Sequence, residues 1–146
     1  AHGDYGPGVV EKAKAFSNIR MHGHVDYDEV AAFYRSSSVM LCTSAYEGFP
    51  NTFLEAWSCG LPIVSTFDPD GLITREGLGV AANDITDVAV GLHRLRADRE
   101  LYRQCSENAR RYFREHHALD KAMERFEQVF LAVAKGATEA HQLSTV

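Results

Sequence analysis

The sequence predicts an open α/β fold, a mostly parallel sheet with helices on both faces. Three observations predict it. Val39-Met40-Leu41-Cys42 and Ile63-Val64-Ser65-Thr66 are short apolar runs with strand character. Between them lie a polar loop and a helix-like stretch that stops at Gly60-Leu61-Pro62. The order strand, loop, helix, strand is a βαβ unit, and such units place ligands at the carboxyl ends of their strands. Beyond residue 84, apolar residues recur at helical spacing.

Taken in order, the chain opens with the turn-rich Gly3-Asp4-Tyr5-Gly6-Pro7-Gly8 and a short helix over residues 9–16. The central helix begins near Asn51 or Thr52, either of which is able to cap it by accepting a backbone N–H. If Thr52 is the cap, Glu55 completes a capping box. Gly60 supplies a permissive conformation past the last turn, and Pro62 prevents continuation. A helix over residues 85–96 turns Val88, Leu92 and Leu95 inward. Another, over 100–116, turns in Leu101, Tyr102, Cys105, Ala109, Tyr112 and Phe113. A third, over 119–135, turns in Met123, Phe126, Phe130 and Val133 and ends at Gly136. Residues 1–136 then form one partial domain, and residues 137–146 a loose tail.

Glu47-Gly48-Phe49-Pro50-Asn51-Thr52-Phe53-Leu54-Glu55 is the segment richest in chemistry, with its two carboxylates eight positions apart. Free N–H groups at the helix start form an anion site, reinforced by the helix dipole. Glu55 lies roughly 5 Å further along the axis, suited to accept hydrogen bonds from a diol such as a ribose. Glu47, before the turn, suits a second hydroxyl-rich group. The plainer alternative is that Glu55 only caps and Glu47 is a solvated loop charge.

The stretch from Glu47 to Val64 resembles the Glu-x7-Glu signature of retaining glycosyltransferases with the GT-B fold, and more narrowly glycosyltransferase family 4, or group 1. The likeness covers both glutamates, Gly48, Pro50, Ala56 and the Gly60-Leu61-Pro62 run into a hydrophobic strand. Residues 18–25 resemble that family's short strand ending in a glycine, and residues 29–36 its following helix. Leu78-Gly79-Val80 resembles a later glycine-containing segment. The resemblance runs from about residue 18 to about residue 113 and implies a Rossmann-like domain, the C-terminal half of a GT-B enzyme.

The resemblance implies roles residue by residue. Glu47, the catalytic assignment, contacts the hydroxyls of the transferred sugar and is not assigned as a nucleophile. Gly48 and Phe49 line the sugar and phosphate pocket through their backbone. Asn51, Thr52 and Phe53 offer helix N-terminal amides to the diphosphate, and Glu55 holds the ribose. Gly23, His24 and Val25 approach the nucleobase. The implied reaction moves a sugar from a nucleoside-diphosphate sugar with retained anomeric configuration, without metal or cofactor. Catalysis then rests on stabilising the departing anion and positioning the reactants. A non-catalytic nucleotide-sugar-binding module, or an epimerase or phosphorylase of the same fold, is the alternative.

Length sets a further expectation. At 146 residues the chain suits one domain, whereas a GT-B enzyme has two. The first βα unit of the donor domain, with its basic phosphate clamp, is expected to be missing, as is an N-terminal acceptor domain. The isolated chain is then expected to be inactive, which detectable sugar transfer by it would refute. One segment departs from the family pattern. Where many relatives carry Gly-Gly-x-x-Glu, this chain reads Phe67-Asp68-Pro69-Asp70-Gly71-Leu72-Ile73, so the donor sugar and base stay open.

Composition is ordinary for a globular chain, with 45% hydrophobic and 24% charged residues. The net charge of −5 argues against nucleic acid as a partner. No apolar run reaches membrane-spanning length, and the expected compartment is the cytoplasm, with peripheral membrane association the alternative. Cys42, Cys59 and Cys105 read as small buried hydrophobes in a reducing compartment, with no disulfide. The arginines between Arg94 and Arg114 alternate with Glu100 and Glu107 and read as a solvated face rather than a lipid-binding one. His22 and His24 flank Gly23 on alternate strand positions, within reach of a base. The seven histidines show no metal-ligand spacing.

Overall fold

The computed structural model describes residues 6–143, and the side chains of all of these but Pro7 and residues 136–143. The elements run α1 (Gly6–Ala13), α2 (Tyr27–Ser36), β1 (Met40–Cys42), α3 (Asn51–Ser58), β2 (Ile63–Ser65), α4 (Leu72–Glu76), β3 (Gly79–Ala81), α5 (Ile85–Ala97), α6 (Arg99–His116) and α7 (Leu119–Leu143). The chain falls into two compact units that divide between Phe33 and Tyr34. In the first, α1 begins at Gly6 with Pro7 in its opening turn, where a missing N–H costs nothing. Gly3, Asp4 and Tyr5 of the expected opening turn lie outside the described residues, as do residues 144–146.

The second unit holds a parallel sheet in the order β1-β2-β3. Met40 pairs with Ile63, and Ile63 with Gly79. Side chains alternate across a strand, so Ile63 and Val64 enter opposite layers. Ile63 joins Phe53, Ala56, Trp57, Leu72, Ile73 and Leu78, which puts α3 and α4 on one face. Val64 joins Val88 and Leu95 of α5 on the other. The helix α6 serves both layers, with Ala109 in the first and Cys105 in the second. Helices thus cover both faces of a parallel sheet, the fold class that the sequence predicts.

Two glycines set the geometry of the βαβ unit. Gly60 has φ 74°, and its N–H donates to the Trp57 carbonyl while that of Leu61 donates to Ala56. This is a Schellman closure, which satisfies the last carbonyls of α3 and turns the chain into β2. Gly79 sits against Ile63 so closely that a Cβ would run into the Ile63 backbone. Any side chain there would push β3 off β2.

Several expectations are corrected. Residues 18–25 form no strand, so His22 and His24 do not stand on alternate strand positions. A strand depends on a neighbour to pair its backbone, and the described ladders join only β1, β2 and β3. The central helix has Pro50 at its N-cap, with φ −69° and ψ 117° and no side-chain cap. Asn51 and Thr52 are therefore its first two residues rather than caps, and no capping box forms. Helix α7 runs through Gly136 to Leu143 rather than ending at Gly136. Its expected inward residues Met123, Phe126, Phe130 and Val133 are all exposed. Cys105 is buried, but Cys42 and Cys59 are only half-buried.

Candidate functional site

The site segment runs from the carboxyl end of β1 through a loop into α3. The loop is fastened at both ends. At its start, the Thr66 hydroxyl, just past β2, donates to the Ser44 carbonyl at 3.0 Å. At its end, the Phe49 ring meets Trp57 edge-on with centroids 6.3 Å apart and stacks on His117 at 6.0 Å. Trp57 is fully buried and also packs against Phe53 and Tyr112 at 5.6 and 5.5 Å. Aromatic contacts of this kind add to burial. The Phe49 ring therefore anchors the loop, which leaves Phe49's backbone as the part able to line a ligand pocket. Glu47 and Gly48 stand exposed on this loop.

Helix α3 opens with the amides of Asn51 and Thr52 without an acceptor among the described residues. The Phe53 amide differs, because it donates to the Pro50 carbonyl at 3.0 Å. Of the three amides assigned to a diphosphate, Phe53's is already engaged, and its ring is fully buried in the core. Glu55 is half-buried. Its Oε2 accepts a hydrogen bond of 2.8 Å from the Tyr34 hydroxyl at the end of α2. Burial pushes the Tyr34 phenol well above its ordinary range, and the hydrogen bond to Glu55 and that carboxylate's charge push it the same way.

The loop after β2 satisfies itself. The Asp68 carboxylate accepts from the Ile73 and Thr74 amides at 2.7 and 3.3 Å and from the Thr74 hydroxyl at 2.8 Å. Asp70 takes a left-handed conformation with φ 52°, and its carbonyl accepts from Arg75. Asp68 thus serves the start of α4. Ser65, fully buried, closes the turn by donating to the Phe67 carbonyl at 2.7 Å.

The second unit brings Glu47, Gly48, Phe49, Asn51, Thr52, Phe53 and Glu55 onto one loop and helix start. Gly23, His24 and Val25 belong to the first unit. There Gly23 has φ 70°, His24 lies 3.8 Å from Asp26 with both side chains exposed, and the His22 ring packs on Phe33 at 4.7 Å. Among the described residues, no three of His, Cys, Asp or Glu cluster as a metal set. No described helix is long and apolar enough to cross a membrane.

The sequence profile of the glycosyl transferases group 1 family matches residues 9–112. The chain belongs to this family. The match takes in every residue of the loop, α3 and the strands around them. A D-inositol 3-phosphate glycosyltransferase of Streptomyces bingchenggensis is 30% identical over 123 residues, 81% of this chain and 27% of that protein. An uncharacterized glycosyltransferase of Haemophilus influenzae is 30% identical over 107 residues, 70% of this chain and 30% of that protein. This group 1 chain thus spans less than a third of the length of either relative.

Sequence reasoning missed two contributors to the site. Tyr34 carries a weak local signal, since Val30 and Tyr34 share one helix face and a tyrosine hydroxyl at the end of an apolar stripe needs a partner. The partner itself lies 21 positions away. His117 carried none, because only the packing of α6 against α3 brings it to Phe49.

Proposed function

We propose that this chain is the donor-binding part of a retaining glycosyltransferase that transfers a sugar from a nucleoside-diphosphate sugar to an acceptor. One observation carries this assignment. At the carboxyl end of β1, α3 opens with two unengaged amides and presents Glu55 one turn later, within the segment that matches the family. Open α/β folds bind ligands at such strand ends, and helix N-termini favour anions.

In this reading the diphosphate docks on the Asn51 and Thr52 amides, with Phe53 contributing through the helix dipole rather than its engaged N–H. Glu55 accepts the ribose hydroxyls. Glu47 contacts hydroxyls of the transferred sugar, with backbone of Gly48 and Phe49 lining the pocket. When the glycosidic bond to the donor breaks, negative charge grows on the leaving diphosphate. Amides aimed there stabilise it more in the transition state than in the ground state, and no metal is required for that contribution.

The test is an NMR titration of the chain with UDP, GDP and ADP and their sugar conjugates, repeated on Glu55→Ala. Saturable shifts centred on residues 47–55 are expected with one of the bases. Hydrogen bonds to a charged acceptor are each worth about 1.5–3 kcal/mol, so Glu55→Ala should weaken that binding by about tenfold or more. Shifts that are absent, or that persist undiminished in Glu55→Ala, refute the assignment.

A further inference from the structure

We propose that Tyr34 is a positioning residue for this site, holding the Glu55 carboxylate in the orientation that accepts a ribose diol. The inference rests on the donor-binding reading above and adds a residue from outside the signature segment. Tyr34 and Glu55 come from different helices, 21 positions apart, and meet at 2.8 Å.

A glutamate on the first turns of a helix ordinarily has other options. It can reach back to the N-cap amide, as a capping box does, or swing into water through three side-chain torsions. Here the capping box is not made. The carboxylate is instead held by a phenol that is itself fixed. Tyr34 is half-buried and packs against the core cluster of Phe53, Ala56 and Trp57. Its hydroxyl stays protonated far into alkali because burial and the adjacent carboxylate both oppose ionisation, so it donates throughout the working range.

The hydrogen-bond inventory then fits a diol. A carboxylate offers about four acceptor sites on two oxygens. The phenol uses one on Oε2, and the others stay open to two vicinal hydroxyls. Two hydroxyls must meet the carboxylate together, so a fixed carboxylate plane matters more for a diol than for a single donor. Side-chain ordering that is already complete before binding does not have to be supplied by the ligand.

The discriminating experiment compares ribose with its dideoxy form. Affinities of the wild-type chain, Tyr34→Phe, Glu55→Ala and the double variant are measured for UDP and GDP and for their 2′,3′-dideoxy counterparts. Loss of one neutral donor's contribution predicts that Tyr34→Phe weakens the ribonucleotide by about threefold to tenfold. The dideoxy ligand should bind Tyr34→Phe as it binds wild type, and Tyr34→Phe should have no further effect in the Glu55→Ala background. Equal weakening of both ligands would make Tyr34 a packing residue only and overturn the proposal. If Glu55→Ala weakens the ribonucleotide while Tyr34→Phe does not, the positioning role falls and the donor-site reading stands. If wild type binds ribo and dideoxy forms alike, both fall. Should Tyr34→Phe fail to fold, the ring-carbon shift of Tyr34 in the wild-type chain provides the readout. It should move with the ribonucleotide and stay put with the dideoxy ligand, and no difference between the two would refute the role.

Discussion

Helices α3 and α7 both carry an apolar stripe, yet the fold uses them in opposite ways. In α3, eight residues long, Phe53, Ala56 and Trp57 are fully buried. In α7, 25 residues long, Leu119, Met123, Phe126, Val129, Phe130 and Val133 are each more than half exposed. The difference lies in how the cover is supplied. The Gly60 closure folds α3 directly back onto β2, the next element in the chain. Helix α7 is fastened mainly at its start, where Arg125 donates to the His116 carbonyl at 3.0 Å. Apolar periodicity states that a face needs cover, and only the connections to either side state where the cover is.

The largest effect should fall on α3. Trp57→Ala removes the ring that Phe49, Phe53 and Tyr112 all contact. Substitutions of this kind cost about 3–5 kcal/mol, a large part of the about 5–15 kcal/mol that holds a domain together. The denaturant midpoint of the variant should fall well below that of wild type. Phe130→Ser on α7, where the ring is 70% exposed, should stay within about 0.5 kcal/mol of wild type. A comparable loss at Phe130 would break the contrast by showing that the α7 face is covered in solution.

How far the sequence reveals the molecule follows the same division. The βαβ unit is legible because its punctuation is local. Gly60, Leu61 and Pro62 end α3 and start β2 within three residues, and Pro50 marks the start. The position of the start is off by one or two residues because Pro50 presets the N-cap backbone, which moves Asn51 and Thr52 inside the helix. The strand expected over residues 18–25 is not formed, since strand pairing is a property of two segments and only one is visible in a local pattern. The acidic and amide groups of the site are likewise local and legible. Their positioning partners are not. Tyr34 reaches Glu55 and His117 reaches Phe49 only through packing between helices distant in sequence.

A middle-sized effect should appear with pH at that second contact. The His117 ring stacks on Phe49, lies 5.4 Å from Tyr112, and has its buried Nε2 without a partner among the described residues. Burial lowers its pKa below the ordinary 6.5, and the neighbouring His116 and Arg125 lower it further. The unfolded chain then binds the His117 proton more readily than the folded one. Stability from this group is therefore complete above about pH 6.5 and declines as pH falls from there through the folded-state pKa. Urea midpoints measured at pH 7.5 and pH 5 should drop more for wild type than for His117→Gln. An equal drop would show that protonation of His117 is as easy in the folded protein as outside it. Phe49 resonances should broaden or shift over the same interval in wild type, because the ring that holds the loop acquires a charge.

The smallest effect should come from Thr52→Ala, and its smallness is informative. A threonine acting as an N-cap contributes about 1 kcal/mol, which alanine forfeits. Here Thr52 is the second residue of α3, exposed, and its side chain makes no cap. Inside a helix alanine is the more favourable residue by a few tenths of a kcal/mol, so the midpoint should stay the same or rise slightly. Nucleotide affinity should also be kept, because the group offered to the diphosphate is the Thr52 amide, which alanine retains. A loss near 1 kcal/mol would return Thr52 to the N-cap and move the helix start by two residues. That shift would also change which backbone amides are unengaged, and with them the anion site on which the donor-binding assignment depends.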